Sequence, residues 1–387
     1  MIKTIKVMLI PNNKQITKLF QYAGAARFAY NWVLSKEQEN YKNGGKFISD
    51  NDLRKEFTIL KHTDEYAWLN NISNNVTKQA IKDACKSYER FFKGLSKFPK
   101  YRSKKSSKPS FFQDSIKIKF TDTYVKVEGF AISKKANKQK LNHIRLAEKG
   151  RIPTDCKYYN PRITFDGINW WISVGIDTDE CKYQLNNSGV GIDLGIKYLA
   201  ICSDNNKYKN INKSQTVRNL EKQKRRLQRS ISRSYEKNKK KGKYCKTNNV
   251  IKKEKLLLKL NHRLSNIRND YLHQTTTEIV NRKPRFICIE DLNVSEMMKN
   301  KHLSKAVQNQ GFYKFRRQLE YKCKDKSIQL IVADRFYPSS KLCSCCGNIK
   351  KDLKLSDRIY KCDCGNVIDR DFQATLNLKA YGEQFAS

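Results

Sequence analysis

The 387-residue chain has no apolar run approaching the ~18 residues that a membrane-spanning helix needs. Its opening residues, MIKTIKVMLIPNNK, turn polar too soon for a secretion signal. Acidic residues are scarce: 37 Asp and Glu stand against 79 Lys and Arg, a formal net charge of +42. The excess is spread along the chain and not gathered in one tail. That distribution excludes a protein that meets only a small acidic ligand, and it points to an extended polyanion. The expectation is a cytoplasmic protein that binds nucleic acid, nucleoid-associated if the host is bacterial, with no membrane partner. Disulfides are excluded as an organising device. Of the twelve cysteines, those at 85, 156, 181, 202, 245, 288 and 323 stand singly, some inside apolar runs such as Ile201-Cys202 and Ile287-Cys288, and read as reduced thiols.

Against this background Ser188–Ser203, SGVGIDLGIKYLAICS, is prominent. Two short apolar strands with a turn near Ile196-Lys197 are the natural reading, and Asp193 stands inside the first of them. A carboxylate in an apolar strand is costly unless something binds it; the alternative is an Asp that caps a turn. A second run, Arg285 to Leu292, is apolar on both faces and ends in Glu290 and Asp291, as a buried central strand would. A third acidic group, Asp369-Arg370-Asp371, opens a segment in which Phe372, Leu376 and Ala380 recur every four residues, which predicts a helix packed on the sheet. Three carboxylates, Asp193, Glu290 and Asp371, each at the edge of a core element, suit a phosphodiesterase that holds two Mg²⁺ ions about 4 Å apart. Asp369 reads as a helix cap, with metal ligation as its alternative, and Asp291 faces away from Glu290 along the strand.

The remaining five cysteines cluster as Cys343-Ser344-Cys345-Cys346-Gly347 and Cys362-Asp363-Cys364-Gly365. Two knuckles separated by a stretch that can form a hairpin make a zinc ribbon with one structural Zn²⁺ on Cys343, Cys346, Cys362 and Cys364; Cys345 stays open as an alternative ligand.

The rest of the chain falls into blocks. Residues 1–10 read as an edge strand stopped by Pro11. Residues 16–97 follow a helical period, and the next stretch, FFKGLSKFPKYRSKKSSKPSF, interleaves aromatics with Lys and Arg, suited to phosphate contacts and base stacking or else a surface linker. From Ile116 to Asp177 the period is two. Ile116–Phe120, Tyr124–Val127 and Ile163–Phe165 read as strands, and Asp166-Gly167 as a hairpin turn, giving a small β-barrel that the N-terminal strand completes. Helices are expected at 214–232 and 250–281 as an antiparallel pair, with the Lys239-Lys240-Lys241 run as a solvated loop between them or, less simply, a nuclear-targeting signal.

The order Arg27-Phe28-Ala29-Tyr30-Asn31-Trp32, GIDLG, IEDLN, Tyr337-Pro338-Ser339-Ser340-Lys341, CxxCG, CxCG and DRDFQATLNL resembles the TnpB family of transposon-encoded RNA-guided DNA endonucleases, relatives of type V CRISPR effectors. The resemblance implies an α/β multidomain protein: an RNase H-like (RuvC-like) nuclease domain over 186–335 and 366–387 with a zinc ribbon inserted at 336–365, a helical recognition lobe over 11–110, and a wedge-like barrel from 1–10 and 111–185. It implies the catalytic triad Asp193, Glu290 and Asp371, a guide RNA, and a double-stranded DNA target cut beside a short adjacent motif, with the transposon's own transposase as a further partner. Gln373 and Thr375 stand where the family more often has Asn and Ala; Gln373 is expected to weaken the support of Asp371. Two other classes stay open: a nuclease-inactive RNA-guided repressor, and a transposase or structure-selective resolvase.

Overall fold

The computed structural model describes residues 2–131, 140–178, 183–240, 242–354 and 357–386. The protein is mixed α/β and divides into two compact units, Met1–Asp179 and Glu180–Ser387. Among the described residues no helix is long and apolar enough to cross a membrane. Cys181 lies outside them.

The first unit begins with β1 (Ile2–Ile10). Pro11 ends the strand, and Asn12 starts α1 (Asn13–Lys42) with a reciprocal cap: its side chain accepts from the Gln15 amide while the Gln15 side chain accepts from its own. Leu19, Tyr22, Ala26, Tyr30 and Val33 recur at helical spacing and are buried. α2 (Asp50–Leu60) and α3 (Asn74–Phe92) follow, with a 3₁₀ turn between them. The strands β2 (Ser110–Phe112), β3 (Lys119–Phe120), β4 (Tyr124–Lys126), β5 (His143–Leu146), β6 (Tyr158–Phe165) and β7 (Trp170–Asp177) join β1 in one antiparallel sheet, ordered β2-β6-β7-β1-β5-β4-β3. Where a barrel is expected, β2 and β3 are the outer strands of this order.

Two local expectations are corrected. β1 is not an edge strand: β7 pairs with it from Ile2 to Leu9, and β5 covers its other side at Leu9 and Ile10. Its partners lie more than 130 residues away, so no local pattern marks it as interior. Ile116-Lys117 is a turn and not a strand, because the Asp114 carboxylate accepts from both amides and Ile116 is 88% exposed. At the β6–β7 hairpin Asp166 likewise accepts from the amides of Ile168 and Asn169 while Gly167 takes φ +103°.

The second unit is built on β8 (Val190–Leu194), β9 (Tyr198–Cys202), β10 (Lys207–Lys209), β13 (Phe286–Glu290) and β14 (Gln329–Ala333), in the order β10-β9-β8-β13-β14. β9 and β10 run antiparallel to their neighbours, whereas β8, β13 and β14 are parallel. Between β10 and β13 come α4 (Gln215–Lys237) and α5 (Asn248–Asn281), which pack together through Val217, Leu220 and Leu264. The run expected as a loop between them instead places Lys239–Lys240 (β11) in a two-residue ribbon with Lys243–Tyr244 (β12); Lys241 lies outside the described residues. After three helices, α6 (Val294–Met297), α7 (Ser304–Gln310) and α8 (Phe312–Asp325), and the ribbon strands β15 (Ile359–Lys361) and β16 (Val367–Asp369), the chain ends in α9 (Arg370–Phe385).

α9 lies directly on β8, and a glycine permits it. A Cβ on Gly191 would fall 2.1 Å from the carbonyl oxygen of Thr375 and 2.5 Å from the amide nitrogen of Lys379, both backbone atoms that cannot swing aside. Gly191→Ala is therefore expected to destabilise the protein by about 3 kcal/mol, read from the urea midpoint, and to lift α9 off the sheet.

Candidate functional site

The sheet register brings the first two acids together. Ile192 pairs with Ile289 at the end of the parallel β8–β13 ladder, so the next residues, Asp193 and Glu290, emerge side by side at the carboxyl end of adjacent strands. Asp371 is the second residue of α9 and arrives from the opposite end of the sequence, because α9 crosses β8 at Gly191. All three line one cavity of about 440 Å³, together with Lys197, Arg358 and Arg370.

The electrostatics are those of crowded acids. Burial first, then the charges of Glu290 and Asp371, push the Asp193 carboxyl well above the usual carboxylate range. Burial also raises Glu290; a hydrogen bond donated by Ser339 to its Oε1 at 2.5 Å opposes the rise. The cations that approach are loosely placed: Arg370 and Arg358 stand 3.7 and 3.9 Å from the oxygens of Asp371. Ser339 and the two arginines were not singled out from sequence. Ser339 lies in the YPSSK motif, but nothing local ties it to a carboxylate 49 residues earlier.

Asp369 does the work of a cap: its carboxylate accepts the Phe372 amide at 3.0 Å and starts α9. Asp291 turns away from the cavity. Hydrogen bonds from Arg335 and Arg316, at 3.0 and 2.9 Å, hold its carboxyl below the usual range. Asp291→Asn is accordingly expected to cost less than about 1 kcal/mol in stability, read from the urea midpoint, and to leave the acidic cavity intact, unlike any change at Glu290.

The apolar stripe read from Phe372, Leu376 and Ala380 is not the face that packs. Ala380 is exposed, and the buried face consists of Gln373, Ala374, Thr375, Asn377, Leu378 and Gly382. Of its polar members, Thr375 donates to the Phe372 carbonyl of its own helix, whereas Gln373 and Asn377 fasten the cysteine-bearing segment. Gln373 donates to the Leu342 carbonyl at 2.8 Å and accepts from Ser344 at 3.0 Å; Asn377 donates to the carbonyls of Ser339 and Leu342 at 2.6 and 2.7 Å. Gln373, expected to weaken the support of Asp371, instead ties the helix that carries Asp371 to the ribbon.

Sγ atoms of Cys343, Cys346, Cys362 and Cys364 lie within 4.8 Å of one another, and Cys345 is exposed outside the group. Gly347 and Gly365 follow the two knuckles at φ +72° and +89°, the left-handed backbone that each turn requires. Burial alone would raise the Cys343 thiol, but the backbone N–H of Cys346 and the Asn366 side-chain amide aim at its sulfur and bring it down to about 6. Four sulfurs at this spacing, with donors aimed at a thiolate, are compatible with a structural Zn²⁺.

Three family models match the chain: a helix-turn-helix domain of the IS605 OrfB type over residues 1–46, the IS605 OrfB probable transposase over 172–301, and a Cas12f1-like TNB domain over 312–378. Among curated relatives, a putative RNA-guided DNA endonuclease of Streptomyces pristinaespiralis is 29% identical over 381 residues, 98% of this chain and 89% of that protein. The putative RNA-guided DNA endonuclease InsQ of Escherichia coli K12 is 26% identical over 98% of this chain and 92% of its own length. In fold, the chain is similar to Cas12f1 as seen by cryo-electron microscopy in complex with its single guide RNA and target DNA, with TM-score 0.58 at 14% identity over 95% of this chain and 82% of that one. With relatives aligned along nearly its whole length and OrfB-type models at both its start and its centre, the chain is similar throughout to proteins of the IS605 OrfB (TnpB) type.

Proposed function

We propose that this protein is a transposon-encoded RNA-guided DNA endonuclease that cuts double-stranded DNA beside a short adjacent motif by metal-assisted phosphodiester hydrolysis. The observation that carries the proposal is the convergence of Asp193, Glu290 and Asp371, from three distant stretches, on one cavity. The naming of full-length relatives as RNA-guided DNA endonucleases supports the guide and the substrate. An RNase H-like (RuvC-like) reading of 186–335 with 366–387 is supported by the sheet, an antiparallel hairpin beside parallel strands with the acids at the carboxyl edge. The zinc ribbon is then 336–365, the recognition lobe 11–110, and the wedge-like region 1–10 with 111–185.

Three mutually repelling carboxylates form a hard-oxygen donor set, which fits Mg²⁺. Two Mg²⁺ ions there would polarise the scissile phosphate, lower the pKa of an attacking water and stabilise the leaving 3′ oxygen. Asp193, Glu290 and Asp371 hold the metal and need not take protons themselves. Ser339 fixes the rotamer of Glu290, Asp369 secures the first turn of α9, and Arg358 and Arg370 supply positive charge beside the phosphate. The diffuse excess of Lys and Arg grips nucleic acid by its backbone while base pairing reads the sequence.

The test is to copurify the protein with RNA transcribed from its own locus and to assay Mg²⁺-dependent cutting of a plasmid library with randomised flanks. Guide-matched double-strand breaks next to one enriched flank are the expected result. Binding without cutting would reassign the protein as a guided repressor, and cutting without RNA would favour a resolvase.

A further inference from the structure

The aromatic and basic stretch after α3 takes no part in the metal sites, yet it builds a cavity. The chain that leaves α3 folds back so that Phe98 meets Tyr88 and Phe91 of that helix, while Phe47, beyond the end of α1, meets Tyr88 and Phe92. Ring centroids of Phe91 and Phe98 are 5.2 Å apart at 85°, those of Tyr88 and Phe98 5.7 Å at 83°, and those of Phe47 and Phe92 6.0 Å at 81°. The rings surround a space of about 390 Å³. A cluster this rich in aromatics would ordinarily close on itself, but Phe47 is 40% exposed, Phe98 46% and Phe92 63%, at a cost that only a partner recovers. Glu37 lines the same space. It is 5% exposed and accepts the Ile48 amide at 3.2 Å, which leaves acceptor capacity on its carboxyl; burial pushes that carboxyl up to about 7. Lys42 lines the cavity, and Lys46, Arg90, Lys93, Lys97 and Lys100, each one or two residues from a lining residue in sequence, are exposed, against the exposed acids Glu39 and Glu89.

Resting on the guided reading above, we propose that this cavity holds one unpaired, amine-bearing nucleobase of the guide RNA. The base stacks on the exposed rings of Phe92, Phe98 and Phe47, its exocyclic amine donates to Glu37, and its flanking phosphates lie on the basic rim. Single-stranded RNA offers bases already unstacked, whereas a base in duplex DNA would first have to be unpaired. A second copy of the chain would set one cationic rim against another, so the charge favours a polyanion.

The test uses the full-length chain, free of copurified RNA, with short oligo-A, oligo-C and oligo-U RNAs and oligo-dA, read by fluorescence anisotropy and by ultraviolet cross-linking with peptide mapping. Oligo-A and oligo-C are expected to bind more tightly than oligo-U and to cross-link to peptides holding Phe92 and Phe98. Phe92→Ala, at an exposed position that leaves the fold intact by circular dichroism, should weaken oligo-A binding by roughly 5- to 100-fold. Glu37→Met should abolish the preference over oligo-U while leaving stacking. Unchanged affinity for Phe92→Ala, or cross-links confined to other regions, would overturn the proposal. So would a dimer in light scattering that Phe92→Ala dissolves without altering RNA binding, and tighter binding of oligo-dA would overturn the assignment to RNA. None of these readouts needs DNA cleavage, so they separate failure of the pocket from failure of the guided-endonuclease reading.

Discussion

Asp193→Asn is expected to lower guide-directed DNA cleavage by about three powers of ten or more, and at the same time to raise the melting temperature of the metal-free protein. The first effect follows from the placement of Asp193 between Glu290 and Asp371: removing one anionic ligand from a site that fits Mg²⁺ removes several kcal/mol of charge stabilisation, and each 1.4 kcal/mol is roughly tenfold in rate. The second follows from repulsion. At neutral pH the metal-free folded protein must either ionise Asp193 where burial, Glu290 and Asp371 all disfavour the charge or take up a proton there, whereas the unfolded chain bears neither cost. An amide of the same shape relieves both. Added Mg²⁺ should then raise the melting temperature of wild type more than that of the variant, and target binding should persist. A variant that loses cleavage and stability together would show that Asp193 has a structural role in place of a metal-holding one. A variant that still cuts would move the chemistry away from this cavity.

Features that break a local rule were the ones legible from sequence. A carboxylate in the apolar strand VGIDL, another at the end of FICIE, and four cysteines in two glycine-terminated knuckles are anomalies that need no tertiary knowledge to find, and the structure gathers the acids in one cavity and the sulfurs in one cluster. The α4 and α5 helices were legible because apolar residues recur at helical spacing over several turns, as Leu220, Leu227 and Ile231 in one and Leu257, Leu260, Leu264 and Ile267 in the other. What failed depended on partners remote in sequence. β1 reads as an edge strand, but its two neighbours are supplied by residues beyond 140. On α9, apolar periodicity selected Phe372, Leu376 and Ala380, whereas the packed face is polar and small. Gln373 and Asn377 are buried because carbonyls of the cysteine segment await them, and Gly191 lets the helix backbone touch the strand. Burial of polar residues is set by the supply of hydrogen-bond partners, which periodicity does not report. For the same reason the bond from Ser339 to Glu290 had no sequence signal.

Removing zinc is expected to abolish cleavage as completely as losing an acid, although none of the four clustered cysteines lines the cavity of the acids. Among its described residues the segment from 336 to 369 has almost no core of its own: Tyr360 and Cys343 are the buried apolar side chains there, far fewer than a small module needs to fold unaided. A structural Zn²⁺ on the four sulfurs would therefore supply its folding free energy, for which ~10 kcal/mol is typical. What the folded ribbon then holds in place is the site. Ser339 at its entrance donates to Glu290, and the carbonyls of Ser339 and Leu342 receive Asn377 and Gln373 of the helix that begins at Asp371. Stripping the metal with a strong thiol-competing chelator should release one zinc per chain, measured colorimetrically, and cleavage should return with Zn²⁺ plus Mg²⁺ but not with Mg²⁺ alone. Cys364→Ser should reproduce the loss and expose ribbon amides to rapid hydrogen exchange, while Cys345→Ser, altering an exposed thiol outside the cluster, should retain both zinc and activity. If Cys345→Ser releases the metal and Cys364→Ser keeps it, the ligand set is wrong. If zinc leaves and cleavage survives, the ribbon does not position Glu290 and Asp371, and the hydrogen bonds that join it to α9 serve stability alone.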